Sequence, residues 1–222
     1  MAGPKYPPRA LDLPPHPHMG TATDTQVVDD ADRWTRFGPC WRLLLLLWLG
    51  WTGWHYLTDP DYWSIFSGII FGSHEFGHLF FAFMGHFMGV AGGSLMQLLV
   101  PIGTGGLLLA RRDYFGASVA GCWLSFSLSN LAVYVGDAVA QELPLVSFSP
   151  DGGEHDWFYL LDHFNALGYD LRLALIIRRI ALLVLAVSFL SGAWWTLRAR
   201  RYQLSAIGYQ PEPPSGKTEA RP

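Results

Sequence analysis

The chain has 222 residues, half of them hydrophobic and 15% charged, with 15 Lys and Arg against 18 Asp and Glu for a net charge of -3. A soluble domain carries about 25% charged residues. Here the 49 residues between Asp61 and Arg111 hold Glu75 as their only formal charge, a run too long for an ordinary soluble core. The near balance of charge, with Lys and Arg in small clusters at the ends of apolar segments, excludes nucleic acid as a partner and leaves the lipid bilayer as the medium.

In chain order, residues 1–40 read as a disordered N-terminal tail. They carry Pro7, Pro8, Pro14, Pro15, Asp29, Asp30 and Asp32 where a cleavable signal peptide would be basic and then apolar. A helical membrane domain follows over 41–200, and residues 201–222, with Pro211, Pro213, Pro214 and Gly216, read as a second disordered tail. Cys40 and Cys122 make neither a disulfide framework nor a thiolate metal site.

A spanning helix needs about 20 mostly apolar residues. The expected fold is therefore an all-α polytopic bundle of about five transmembrane helices, at 43–58, 62–84, 94–110, 114–136 and 180–197. The second and third share the uncharged run, which is split at Gly85, Gly89, Gly92 and Gly93 because one helix of that length would overshoot a hydrocarbon core of about 30 Å. Alternating crossings put the 59–61 turn, Arg111–Arg112 and the C-terminal tail on one side of the membrane, called side A. The N-terminal tail, the 85–93 turn and the 137–179 connection fall on side B. That connection carries a Gly-rich loop and a short helix predicted over Trp157 to Phe164. Lys and Arg are spread too evenly to orient the bundle by the positive-inside rule.

The second span contains His74-Glu75-Phe76-Gly77-His78. At 3.6 residues per turn, two histidines four apart lie about 40° apart on one helix face, so both imidazoles can reach one divalent ion. Glu75 lies a further 60° or so round. That offset keeps its carboxylate out of the ligand set and suits it to take a proton from an attacking water, the general-base role of this motif in metalloproteases. Ionisable residues in hydrocarbon are costly unless partnered or functional. The bland alternative is a set of polar residues that brace neighbouring helices.

A catalytic zinc has three protein ligands, so one is still to be found. Asn130, Tyr134 and Asp137 form a polar stripe on the fourth span that should face the bundle interior, and Asp137 at its end ranks first. The competing candidates Asp151, His155 and Asp156 lie in the 137–179 connection, and His155, chemically the best donor among them, ranks second. The plain alternatives are an interfacial carboxylate for Asp137 and a helix cap for His155–Asp156. His86, eight residues past His78, lies about 12 Å farther along a continuing helix and is excluded.

With its HExxH inside a spanning helix and an aromatic-rich stretch after it, the chain resembles the site-2-protease-like (M50) intramembrane metalloproteases over the second to fourth spans. The resemblance implies that His74 and His78 bind Zn2+, that Glu75 activates water, and that the substrate is a membrane-spanning protein segment. It also implies that side B faces the cytoplasm; the expected location is a bacterial cell membrane, with the chain as an integral multi-pass protein. In that family an Asp from two crossings downstream, within an Asp-Gly pair, completes the site. Asp137 has that helix order but is followed by Ala138, and the Asp-Gly pair here is Asp151-Gly152. The rival function is a non-enzymatic membrane scaffold or metal-binding subunit with a pseudo-active motif.

Overall fold

The computed structural model describes residues 22–143 and 155–208, with side chains over 40–143 and 155–199. Expectations for residues 1–21, 144–154 and 209–222, Asp151 among them, lie outside this range. The described residues are all-helical: α1 (Ala22–Thr58), α2 (Ile65–Phe81), α3 (His86–Ala110), α4 (Tyr114–Gly136), α5 (Asp156–His163) and α6 (Asp170–Gly208), with 3-10 turns at Ala82–Met84 and Leu167–Tyr169. Of the described residues, those up to Phe37 and those from Gly38 on belong to separate units, and the second holds every contact described below.

Among the described residues, three stretches are long and apolar enough to cross a membrane: His86–Ala110, Tyr114–Gly136 and Leu167–Ala199. The 25 residues of α3 rise about 37 Å, enough for a 30 Å core with some tilt. Their outer surfaces expose Leu99 and Ile102 on α3 and Leu182, Leu183, Val187 and Leu190 on α6, a face suited to lipid. Inside, small residues let the backbones approach. Gly121 of α4 faces Ser188 of α6 too closely for a Cβ, and a Cβ on Gly77 of α2 would lie 2.7 Å from the Gly92 carbonyl carbon of α3. Ser125 donates to the Ala181 carbonyl at 2.7 Å, satisfying a hydroxyl buried between α4 and α6.

Several boundaries differ from the expected ones. The uncharged run breaks at Gly85 alone, whose φ of 98° suits glycine, and α3 restarts at His86. Gly89, Gly92 and Gly93 belong to α3, where Gly92 and Gly93 permit close packing rather than a turn. The last helix begins at Asp170 rather than near Ile180.

The direction of the first segment is also corrected. Trp41 packs on Phe115 with ring centroids 5.7 Å apart, a Cβ on Gly53 would meet Leu185 and Phe126, and Tyr56 stacks on Phe126 at 5.1 Å. Phe66 then sits 5.0 Å from the same Phe126, and His74 lies 5.8 Å from Tyr134. Residues 41–81 therefore climb beside α4 in the direction α4 itself runs, first as α1 and then as α2. Arg42 starts that climb at the end of the bundle holding the Arg111–Asp113 turn, not at the opposite end as strict alternation required. Apolar length carries no direction. What sets it is a tied link: Pro60 ends helical geometry at Asp59, and Tyr56 hydroxyl hydrogen bonds to Ser64 (2.9 Å) and Ser67 (2.6 Å) hold the start of α2 against the end of α1. Ser64 caps α2 reciprocally with Ser67, its hydroxyl accepting from Phe66 N while Ser67 Oγ accepts from Ser64 N.

Candidate metal centre

The HExxH residues sit in the second half of α2, level with the last turns of α4. His74 is buried, and its ring lies 4.7 Å from that of His78. His74, Glu75 and His78 offer ligand atoms all within 4.8 Å of one another. Gly93 of α3 forms the floor: a Cβ there would fall 2.6 Å from His78 Nε2 and 2.7 Å from His74 Nε2.

The orientation of both rings follows from their outer partners. Gln97 donates from Nε2 to the Ser127 carbonyl at 3.3 Å, which turns its Oε1 toward His74, and His74 Nδ1–H donates to that oxygen at 2.9 Å. His78 Nδ1 faces the Gly89 carbonyl at 2.8 Å, a partner that can only accept. Each ring is thus anchored through Nδ1–H and turns its Nε2 inward, the orientation a metal-ligating histidine adopts.

Both Nε2 atoms meet one carboxylate oxygen. Asp156 Oδ2 lies 3.0 Å from His74 Nε2 and 3.2 Å from His78 Nε2. Burial pushes the Asp156 carboxyl up, but the two imidazoles outweigh it and hold the group below the usual carboxylate range, so it is the ionised form that faces them. Three potential ligand atoms therefore converge on one point. The edges of a tetrahedron with 2.0–2.1 Å bonds are about 3.3 Å long, close to the spacing seen here. The donor set and its spacing fit a divalent ion of the zinc type.

Asp156 arrives on α5, whose placement is tertiary. Trp157 Nε1 donates to Ser94 Oγ of α3 at 3.0 Å, Asp156 N donates to the Tyr134 hydroxyl at 3.2 Å, and Tyr159 and His163 pack on His86 and Phe87 with centroids 4.8 and 5.1 Å apart.

The two residues ranked first for the third ligand are engaged elsewhere. The Asp137 carboxylate accepts from Glu142 N at 2.9 Å and Leu143 N at 3.1 Å, closing the C-terminal end of α4. Its Oδ2 also stands 3.4 Å from His155 Nε2. His155 caps α5, its Nδ1 accepting from Phe158 N at 3.3 Å, which leaves the proton on Nε2 and no lone pair for an ion. These two residues brace the segment that delivers Asp156. The expected inward stripe on α4 is also partial: Asn130 is exposed, while Tyr134 contacts the site.

Sequence reasoning passed over Gln97 and Gly93. A lone glutamine in the apolar run of α3 was the available signal, since an amide in hydrocarbon needs a partner. Gln97→Leu keeps the bulk and removes the acceptor. It should weaken the binding of an ion at this centre about 10- to 100-fold, read by chelator competition. Gly93→Ala places a methyl against both imidazoles and should cost about 1–3 kcal/mol of stability by overpacking, together with loss of the ion, read by thermal unfolding in detergent and elemental analysis.

Comparisons of the chain with protein-family models, with curated proteins and with solved structures find no match.

Proposed function

We propose that this chain is a membrane-embedded, zinc-dependent endopeptidase that hydrolyses a peptide bond of a membrane protein within or beside the bilayer. In this reading His74, His78 and Asp156 hold the ion and Glu75 is the general base. One observation supports it above the others: two imidazoles anchored through Nδ1 turn both Nε2 atoms onto one buried carboxylate oxygen, at 3.0 and 3.2 Å. Bound zinc would polarise the scissile carbonyl and lower the pKa of water toward about 7.

The rest falls to the chain's own groups. Glu75 makes no hydrogen bond with another described residue, so its carboxylate is available to accept a proton from the attacking water and pass it to the leaving amine. Ser127, through Gln97, and the Gly89 carbonyl keep the imidazoles from turning. The His78 side chain is 29% exposed against 11% for His74, so the centre opens on the His78 side. A substrate helix must unwind locally to offer its carbonyl, because helical backbone is already hydrogen-bonded. Unwinding is cheapest where water is near, which agrees with a site level with the end of α4.

The test is elemental analysis of the purified chain beside cleavage of single-span membrane substrates. About one zinc per chain is expected, lost in His74→Ala, with cleavage abolished by the same change. Retained zinc with no hydrolysis of any substrate overturns the protease and leaves the metal-binding scaffold.

A further inference from the structure

The end of the bundle away from the metal centre holds a cavity of about 450 Å³ lined by Arg42, Arg112, Asp113, Phe115, Trp195 and Arg198 among others. We propose that it binds the phosphate of an anionic membrane lipid. The guanidinium groups of Arg42 and Arg112 line it with Arg198, and the one carboxylate in the lining has a role of its own: Asp113 Oδ1 accepts from Gly116 N at 2.9 Å as the cap of α4. The Arg42 Nε is buried without a hydrogen-bond partner, a donor whose desolvation nothing in the described chain repays. The Arg42 guanidinium is held 5.0 Å from the Phe115 ring and 5.9 Å from the Trp41 ring, which orders it without using its N–H groups.

Location and shape agree with a headgroup. The cavity lies where the membrane-length stretches end, at Ala110, Tyr114 and Ala199, the level at which phosphates sit. Tyr114 and Trp195 stack at 4.4 Å with planes 10° apart, giving a flat aromatic wall of the kind found at membrane interfaces. A volume of 450 Å³ exceeds the roughly 30 Å³ share of one liquid water many times over, so a phosphate with its glycerol fits. Arginine forks match phosphate oxygens in pairs, and basic pockets between membrane helices select anionic headgroups. Neither the ion nor the hydrolysis proposed for the opposite end enters this assignment.

Purified protein is equilibrated with an equal mixture of phosphatidylglycerol and phosphatidylcholine in detergent, and retained lipid is counted by mass spectrometry of the intact chain. Wild type should retain phosphatidylglycerol in preference, and Arg112→Gln and Arg198→Gln should each lower that retention roughly fivefold. Arg111→Gln, which removes the same charge from the same turn outside the cavity, should leave it unchanged. Equal retention of the two lipids, or an equal loss in Arg111→Gln, overturns the site in favour of diffuse surface charge. Displacement by inorganic phosphate at concentrations below that of the lipid assigns the cavity to the free anion and overturns the lipid.

Discussion

Asp156→Ala should empty the metal centre, while Asp137→Asn leaves it filled. Removing Asp156 takes away the carboxylate oxygen that both imidazoles face at 3.0 and 3.2 Å, and two histidines on one helix face do not close a coordination sphere. Zinc content should fall from about one per chain toward zero, and hydrolysis with it. Asp137→Asn acts on a brace instead. It weakens acceptance from Glu142 N and Leu143 N and disturbs the group facing His155, costing about 1–3 kcal/mol if one donor is left buried and unpaired. The ion should stay, held up to 10- to 100-fold more weakly because the segment carrying Asp156 is looser. Elemental analysis of the two variants decides the matter. Should Asp137→Asn empty the site while Asp156→Ala keeps its zinc, the assignment of Asp156 is wrong.

These two aspartates also mark where the sequence stopped being informative. The histidine pair was legible because helical periodicity is local: residues four apart share a face wherever the helix goes. The identity of the third donor was not, because it depends on how a short helix 82 residues downstream is docked. Ser94 and Tyr134 do that docking from two different helices, and neither contact leaves a periodic trace. Asp137 looked right by its position on an amphipathic stripe, yet Asn130 of the same stripe faces outward and Asp137 spends its oxygens on the turn that follows α4. The same limit applies to α1 and α2. Apolar length identified both segments, but their shared direction rests on Gly53 nesting against Leu185 and Phe126 and on Tyr56 reaching Ser67, contacts that only the folded chain displays. The glycine cluster shows two physical uses of one residue type: Gly85 bends the chain through a positive φ, whereas Gly93 lets two imidazoles approach a helix backbone.

Glu75→Gln should separate chemistry from metal binding. The substitution keeps the shape and a carbonyl oxygen but removes the basic lone pairs, and Glu75, within 4.8 Å of both histidines, is not one of the three proposed ligands. Zinc should therefore remain at about one per chain, and the thermal midpoint should hold or rise, since no hydrogen bond to another described residue is lost. Hydrolysis, by contrast, should fall about 10²–10⁴-fold, the contribution of a positioned general base, with most of the loss in kcat because the base acts on the proton in flight rather than on bound substrate. A variant that loses zinc along with activity would make Glu75 a ligand and require a different base. If zinc and full activity both survive, Glu75 has no chemical role, and the helix face that carries the histidines serves only to hold an ion.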